Sequence, residues 1–365
     1  MNVLQRLGVL SVVRRHVVMS ARSVRLFSSG AAPSQLELIK ELRRRTGAGI
    51  GDCKKALESS HNDIDLAMQH LQSQALAAFT KEGALSTQGS IGVARRGSRG
   101  ALVDLSSQTD FVSRNERFSY VLQRVSNSLV ADDGVWQHAA PEMAVLEVPP
   151  ERLENIELAA PSDADANAQV VASDEALASA STIGEAVSQL RFMFKEDIKI
   201  RRSVALGVHE TRGVVGAYKH GDGKFAALVG LVVDRPNTLT PEQRARLQEI
   251  GDRLAVHVVA RSPLTISTED ASDDESASAV AVAVTARPEP TAEPLLTPEG
   301  GEVDMHALAK KQKPNTVMLE QPFALDEQLV VREWLKQQSA AAGVPIIVRG
   351  FVRLERGQTQ TASTL

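Results

Sequence analysis

The residue types that carry covalent chemistry are sparse in this sequence and poorly placed for it. Its eight histidines are scattered, without the HxxxH-type spacing that would set two rings on one helix face for a metal. The single cysteine, Cys53, is followed by Lys54 and Lys55 on a short predicted helix and reads as a structural thiol. One cysteine gives neither an internal disulfide nor a multi-cysteine metal site. There is no GxSxG elbow and no GxxxxGK[ST] phosphate loop. The glycine-rich bends at 97–100 and 221–223 fit hairpin turns better than a dinucleotide fingerprint. No catalytic residue, metal or cofactor is therefore expected. What stands out is a group suited to recognition. In "SSQTDFVSRNERF" (106–118), Thr109 is followed by an acid, a large aromatic and an aliphatic, Asp110, Phe111 and Val112, at the doorstep of a helix.

Ser113 and Glu116 have the spacing of a capping box, so the regular helix is expected to begin there. A hydrophobic staple would pair residues 112 and 117, but Arg117 is charged. Helix physics thus leaves Asp110 and Phe111 unexplained. Two readings fit: Phe111 packs inward beneath the preceding hairpin with Asp110 as an alternative cap, or the group projects toward a partner.

The elements that must position this group predict an α+β chain. A three-helix bundle is expected at 34–80. "SQLE" is a capping box, Leu36, Ile39 and Leu42 form a stripe, and Asp63 caps a helix carrying Ile64, Ala67, Met68 and Leu71. Two related α+β halves follow, each a small antiparallel sheet covered by helices. The first, 85–198, has a hairpin in "IGVARRGSRGALVDLSSQ" and a helix along Phe118, Val121, Leu122, Val125 and Leu129. An Ala/Asp/Glu/Pro-rich linker at 132–181 is expected to be disordered, apart from a short helix near 151–158. A helix carrying Ile183, Val187, Leu190 and Phe194 completes this half. The second half, 199–357, opens on the alternating "IKIRRSVALGVHE". It continues with the hairpin "GVVGAYKHGDGKFAALVGLVV" and a helix with Thr240 as cap and Pro241 at its first position. An acidic low-complexity insertion at 267–315 precedes a last helix through Trp334 and a last strand; 358–365 is expected to be a disordered tail. "GVARRGSRGALVDL" lies over "GAYKHGDGKFAALVGL", and "VSNSLVAD" over "LAVHVVAR", which suggests an internal repeat.

Composition narrows the classes further. The chain has 365 residues, 43% apolar and only 4% aromatic, so its cores must be mostly aliphatic. A net charge of −4 gives no basic domain of the kind nucleic-acid binders show. No run of apolar residues is long enough to span a membrane. Residues 1–33 contain no acid, while Arg6, Arg14, Arg15, Arg22 and Arg25 recur among Ser and Val. That pattern reads as a mitochondrial transit peptide, processed near Phe27 and Ser28.

Several blocks together resemble one family. "LIKELRRRTGAGIGDCKKALESSHNDIDLAMQHL" is similar to a ubiquitin-associated-like bundle, and "QTDFVSRNERF" to a central signature. "KIRRSVAL", "VGAYKHGDGKFAALVGL", "LAVHVVARSP" and "LEQPFALD" follow in order. These blocks resemble translation elongation factor Ts in its mitochondrial form. The resemblance implies a non-enzymatic exchange factor of the mitochondrial matrix. Its partner would be mitochondrial elongation factor Tu, GDP-bound or nucleotide-free, with no direct contact to nucleic acid or membrane. It further implies that Thr109, Asp110, Phe111 and Val112 reach the GTPase and disturb its magnesium, the aromatic acting as a wedge. His257 lies in a block associated with the partner surface of the second half; three residues after Leu254, it equally fits a packed core position. The alternative function is a mitochondrial adaptor that binds a helix or nascent chain through the bundle.

Overall fold

The computed structural model describes residues 33–46, 48–79, 87–137, 139–160, 177–178, 180–234, 238–267 and 316–358. The expected transit peptide, the insertion from 268 to 315, the tail from 359 and part of the first linker (161–176) lie outside the described residues.

Helices α1 (Gln35–Thr46), α2 (Ile50–Ser59) and α3 (Ile64–Phe79) form the bundle. Ser34 Oγ accepts from Glu37 N at 3.4 Å and Glu37 Oε2 accepts from Ser34 N at 2.8 Å, the reciprocal pair its spacing predicts. Asp63 Oδ1 accepts from Leu66 N at 2.9 Å and starts α3. The buried stripe of α1 is Leu38, Ile39 and Leu42; Leu36, expected inside, is 61% exposed. The inward face is set by what packs on it, and a distant residue, Phe192, joins this core. Cys53 is fully buried and its burial pushes the thiol pKa up, which leaves it inert.

The first sheet is built from β1 (Gln88–Arg96), β2 (Arg99–Ser107), β3 (Met143–Glu147) and β4 (Lys199–Val208) in the antiparallel order β1-β2-β4-β3. Between β2 and β3 run α4 (Asp110–Ser113), α5 (Glu116–Ala131) and α6 (Asp133–Trp136). Helices α7 (Pro150–Leu153) and α8 (Ile183–Phe194) precede β4. Two expectations are corrected here. The stretch from 133 to 147, read as disordered, contains α6 and β3, because Met143–Glu147 pairs with Val204–Val208 some sixty residues on, while α7 falls beside the short helix expected near 151–158. The strand expected to open the second half instead closes the first sheet, with Arg99 to Ser106 of β2 as its partner.

The second sheet is β5 (Gly213–His220), β6 (Phe225–Val233) and β9 (Ile346–Glu355) in that order. Helix α9 (Pro241–Arg261), the small hairpin β7 (Pro322–Phe323) and β8 (Asp326–Val330), and α10 (Val331–Ala342) connect β6 to β9. Thr240 and Gln243 form the capping box of α9, with Pro241 at its first turn.

The two sheets pack against each other. Ile91, Leu102, Leu206, Val215, Leu228 and Val352 share one buried cluster between them. Alternate residues face outward to helices: Val103 and Leu105 to α5 and α8, Val229 and Leu231 to α9 and α10. Each sheet is thus covered by helices on one face and by its counterpart on the other. That explains why "ALVGLVV" is continuously apolar rather than alternating.

The internal match extends to three dimensions. In "ALVDL" and "ALVGL", Leu102 and Leu228 both face the other sheet, and Val103 and Val229 both face helices. The register irregularity with the third strand falls between Asp104 and Leu105 in one, and between Gly230 and Leu231 in the other. At the matching glycines a helix crosses close to the strand. A Cβ on Gly92 would sit 2.8 Å from Leu122 of α5, and one on Gly216 would sit 2.0 Å from the backbone of Gly251 in α9. These Gly positions let backbone and helix approach where a side chain would not fit.

Candidate functional site: the tip after strand β2

Strand β2 ends at Ser107, and α4 begins three residues later. The expected start at Ser113 is not where either helix begins. Thr109 is the N-cap of α4, its Oγ1 accepting from Val112 N at 3.4 Å, and Asn115 is the N-cap of α5, its Oδ1 accepting from Arg117 N at 2.9 Å. Ser113 Oγ donates back to Asp110 O at 2.9 Å, so it lies inside the one-turn helix. A single turn has room for one side to face the core and one to face out. Val112 takes the inner side, 2% exposed among the first sheet and α5. Phe111 takes the outer side and is 75% exposed, the largest such fraction among the exposed large apolar side chains of the described residues. The inward-packing reading of Phe111 is thereby excluded.

Asp110 is also at the surface; its side chain is 60% exposed and lies 3.4 Å from Arg114 one turn on, a solvated pair that constrains it little. Thr109 is held from a different part of the chain. Glu196 Oε2 accepts from Gln108 N at 3.0 Å and Thr109 N at 3.1 Å, and Thr109 Oγ1 donates to Glu196 Oε1 at 2.5 Å. Ser107 Oγ donates to Thr109 O at 2.9 Å. Of the four residues expected at the site, Asp110 and Phe111 project, Thr109 anchors the turn, and Val112 is its buried foot. Glu196 was missed by sequence reading, because an acid in "FKED" carries no local sign of a partner 87 residues away.

His257 does not join this tip. It is fully buried in the second half. Its Nδ1 accepts from Ala324 N at 3.2 Å, which leaves the proton on Nε2 to be donated to Gln321 Oε1 at 3.0 Å. Its ring stacks on Phe323, which in turn stacks on Trp334. Burial is the main cause that pushes its pKa down to about 4; the hydrogen bond to Gln321 opposes and the Arg261 charge reinforces it. His257 therefore organises the "QPF" segment as a neutral core residue, and the expected partner contact has no surface to act through.

Among the described residues no group of three or more His, Cys, Asp and Glu side chains could hold a metal ion, and no helix is long and apolar enough to cross a membrane. An exposed aromatic beside an exposed carboxylate on a clamped turn can insert and can compete for cations or hydrogen-bond donors.

The family model of elongation factor Ts matches residues 108–358, so its match begins at Gln108 beside the tip and covers more than half of the chain. The chain belongs to the elongation factor Ts family. It is 29% identical over 328 residues to elongation factor Ts of Brucella ovis and to that of Brucella melitensis, covering 88% of this chain and 92% of theirs. It is 28% identical over 343 residues to the mitochondrial elongation factor Ts of Ricinus communis, covering 92% of this chain and 84% of that one. The match spans the tip, strands β3 to β9 and the "QPF" core, and it places the chain in translation elongation.

Proposed function

We propose that this member of the elongation factor Ts family is a guanine-nucleotide exchange factor for elongation factor Tu in the mitochondrial matrix, and that Asp110 and Phe111 are the part that enters the GTPase. The observation that carries this reading is the exposure of Phe111, beside Asp110, on a turn whose flanking residues Thr109 and Val112 are clamped and buried. A single exposed apolar side chain is ordinary on a protein surface; what supports a partner role for this one is its place on a clamped turn inside the segment that the elongation factor Ts model matches. The mitochondrial assignment is supported by the acid-free, arginine-bearing first 33 residues and by the similarity to a mitochondrial relative.

The physics of such an exchange is direct. In a GTPase, magnesium and backbone donors neutralise the diphosphate. An aromatic pressed between the elements that hold them separates these ligands from the phosphates. Burying the Phe111 ring on insertion contributes roughly 1.5–3 kcal/mol. Converted to affinity, that weakens GDP by about one to two decades; any larger effect must come from the wider interface. Linkage makes the coupling reciprocal, so GDP weakens the factor on elongation factor Tu as much as the factor weakens GDP.

The test is the release of fluorescent GDP from mitochondrial elongation factor Tu with and without this protein. Acceleration at catalytic amounts of the protein is expected. Folded protein that leaves the release rate unchanged would overturn the reading.

A further inference from the structure

We propose that Glu196 is a positioning residue for nucleotide exchange: it clamps the base of the Asp110–Phe111 tip and ties it to the junction of the bundle and first sheet. The inference rests on the exchange reading above. It begins from the weakness of the tip itself. Helix α4 has four residues, a single turn that has no stability of its own. A ring that must push apart elements of a partner needs a fixed base, since a loose one loses conformational freedom on insertion and gives up binding energy.

Glu196 supplies that base. Gln108 and Thr109 lie between the end of β2 and the start of α4, where ladder and helix bonds both stop. Their two N–H groups converge on one carboxylate oxygen, and the Thr109 hydroxyl donates to the other. Hydrogen bonds to an ionised carboxylate are the strong kind, and three on one group fix both its direction and theirs. Glu196 is itself well held. Lys195 ends α8 in the left-handed conformation, φ 55°, with its N–H on Arg191 O at 2.9 Å. One turn back, Phe192 is buried in the core of the bundle, and Lys195 Nζ lies 3.4 Å from Asp52 of α2. Ile183 and Leu190 of the same helix are buried in the core of the first sheet. The last turn of α8 and the two residues after it, Leu190 to Glu196, thus touch sheet, bundle and tip within seven residues.

The experiment is a double-mutant comparison using fluorescent GDP on elongation factor Tu. Glu196→Ala should slow the stimulated release about tenfold. Glu196→Gln, which keeps an acceptor for the two N–H groups, should recover most of the rate. In a Phe111→Ala background, Glu196→Ala should cost less than about twofold further, because there is no ring left to position. A merely structural role would predict the same factor in both backgrounds, and that result overturns the proposal, as does wild-type activity in Glu196→Ala. Amide hydrogen exchange reads the clamp without the partner: in Glu196→Ala the N–H groups of Gln108 and Thr109 should exchange faster while α5 and the β-strands do not. Unchanged protection there also overturns it. If Glu196→Ala does not fold, Thr109→Val removes the hydroxyl arm together with the cap on Val112 N, and is held to the same two-background comparison. Failure of the exchange reading is separate, since wild-type protein would then not accelerate release while the amide test still reports on Glu196.

Discussion

Phe111 and Val112 are neighbours in sequence and opposites in the fold, and their truncation should separate function from stability. Phe111 is 75% exposed, so Phe111→Ala removes almost nothing from the core and should leave stability within about 0.5 kcal/mol of wild type. The same truncation removes the ring that is buried on insertion, roughly 1.5–3 kcal/mol, and should slow stimulated GDP release by about one to two decades. Val112 is 2% exposed beneath the turn. Val112→Ala deletes two methyl groups, about 0.8 kcal/mol each plus a cavity term, and should lower stability by about 1.5–3 kcal/mol. Denaturant unfolding and fluorescent GDP release, run on both variants, give a two-by-two result. Phe111→Ala with full exchange activity would refute the wedge. A Phe111→Ala that unfolds as easily as Val112→Ala would refute the orientation of the turn on which the wedge depends.

Two buried groups should give opposing pH slopes. Burial raises Asp104 from 3.8 to about 6, so the folded state holds its proton longer; its contribution is full below about 3.8 and is lost as pH rises through about 6. Burial lowers His257 from 6.5 to about 4, so the unfolded state binds the proton first; its contribution is full above about 6.5 and declines as pH falls toward about 4. Asp104→Asn should therefore be more stable than wild type near neutrality and should fall more steeply on acidification below about pH 6, measured as unfolding midpoints against pH; a profile parallel to wild type would contradict the Asp104 assignment. Gly216→Ala places a methyl 2.0 Å from the backbone of Gly251 and should cost about 3 kcal/mol or more, or abolish folding, whereas Gly343→Ala, with open space and φ +67°, should cost only about 1 kcal/mol. Mass spectrometry of the protein recovered from mitochondria should find a mature chain beginning near Ser28, not at Met1.

What the sequence determined by itself is the set of features with local physics. Ser34 with Glu37, Asp63, and Thr240 with Gln243 act as the caps their spacing predicts, because each satisfies backbone donors within three residues. The hairpins β1–β2 and β5–β6 follow from apolar runs around glycine bends, and the α5 stripe from its helical period. Even the internal repeat was legible in "ALVDL" and "ALVGL". The tertiary structure decided everything that depends on partners far along the chain. Residues 143–147 became a strand because β4 offers an edge, although the composition of the segment around them points to disorder. The strand at 199–208 joined the first sheet because hydrogen-bond pairing, not chain order, sets membership. The exposure of Phe111, the burial of His257 and the grip of Glu196 on Thr109 belong to the same class. A side chain's neighbour in sequence limits which face it can share, but only the packing of distant elements says which face is core and which is left in water to meet another molecule.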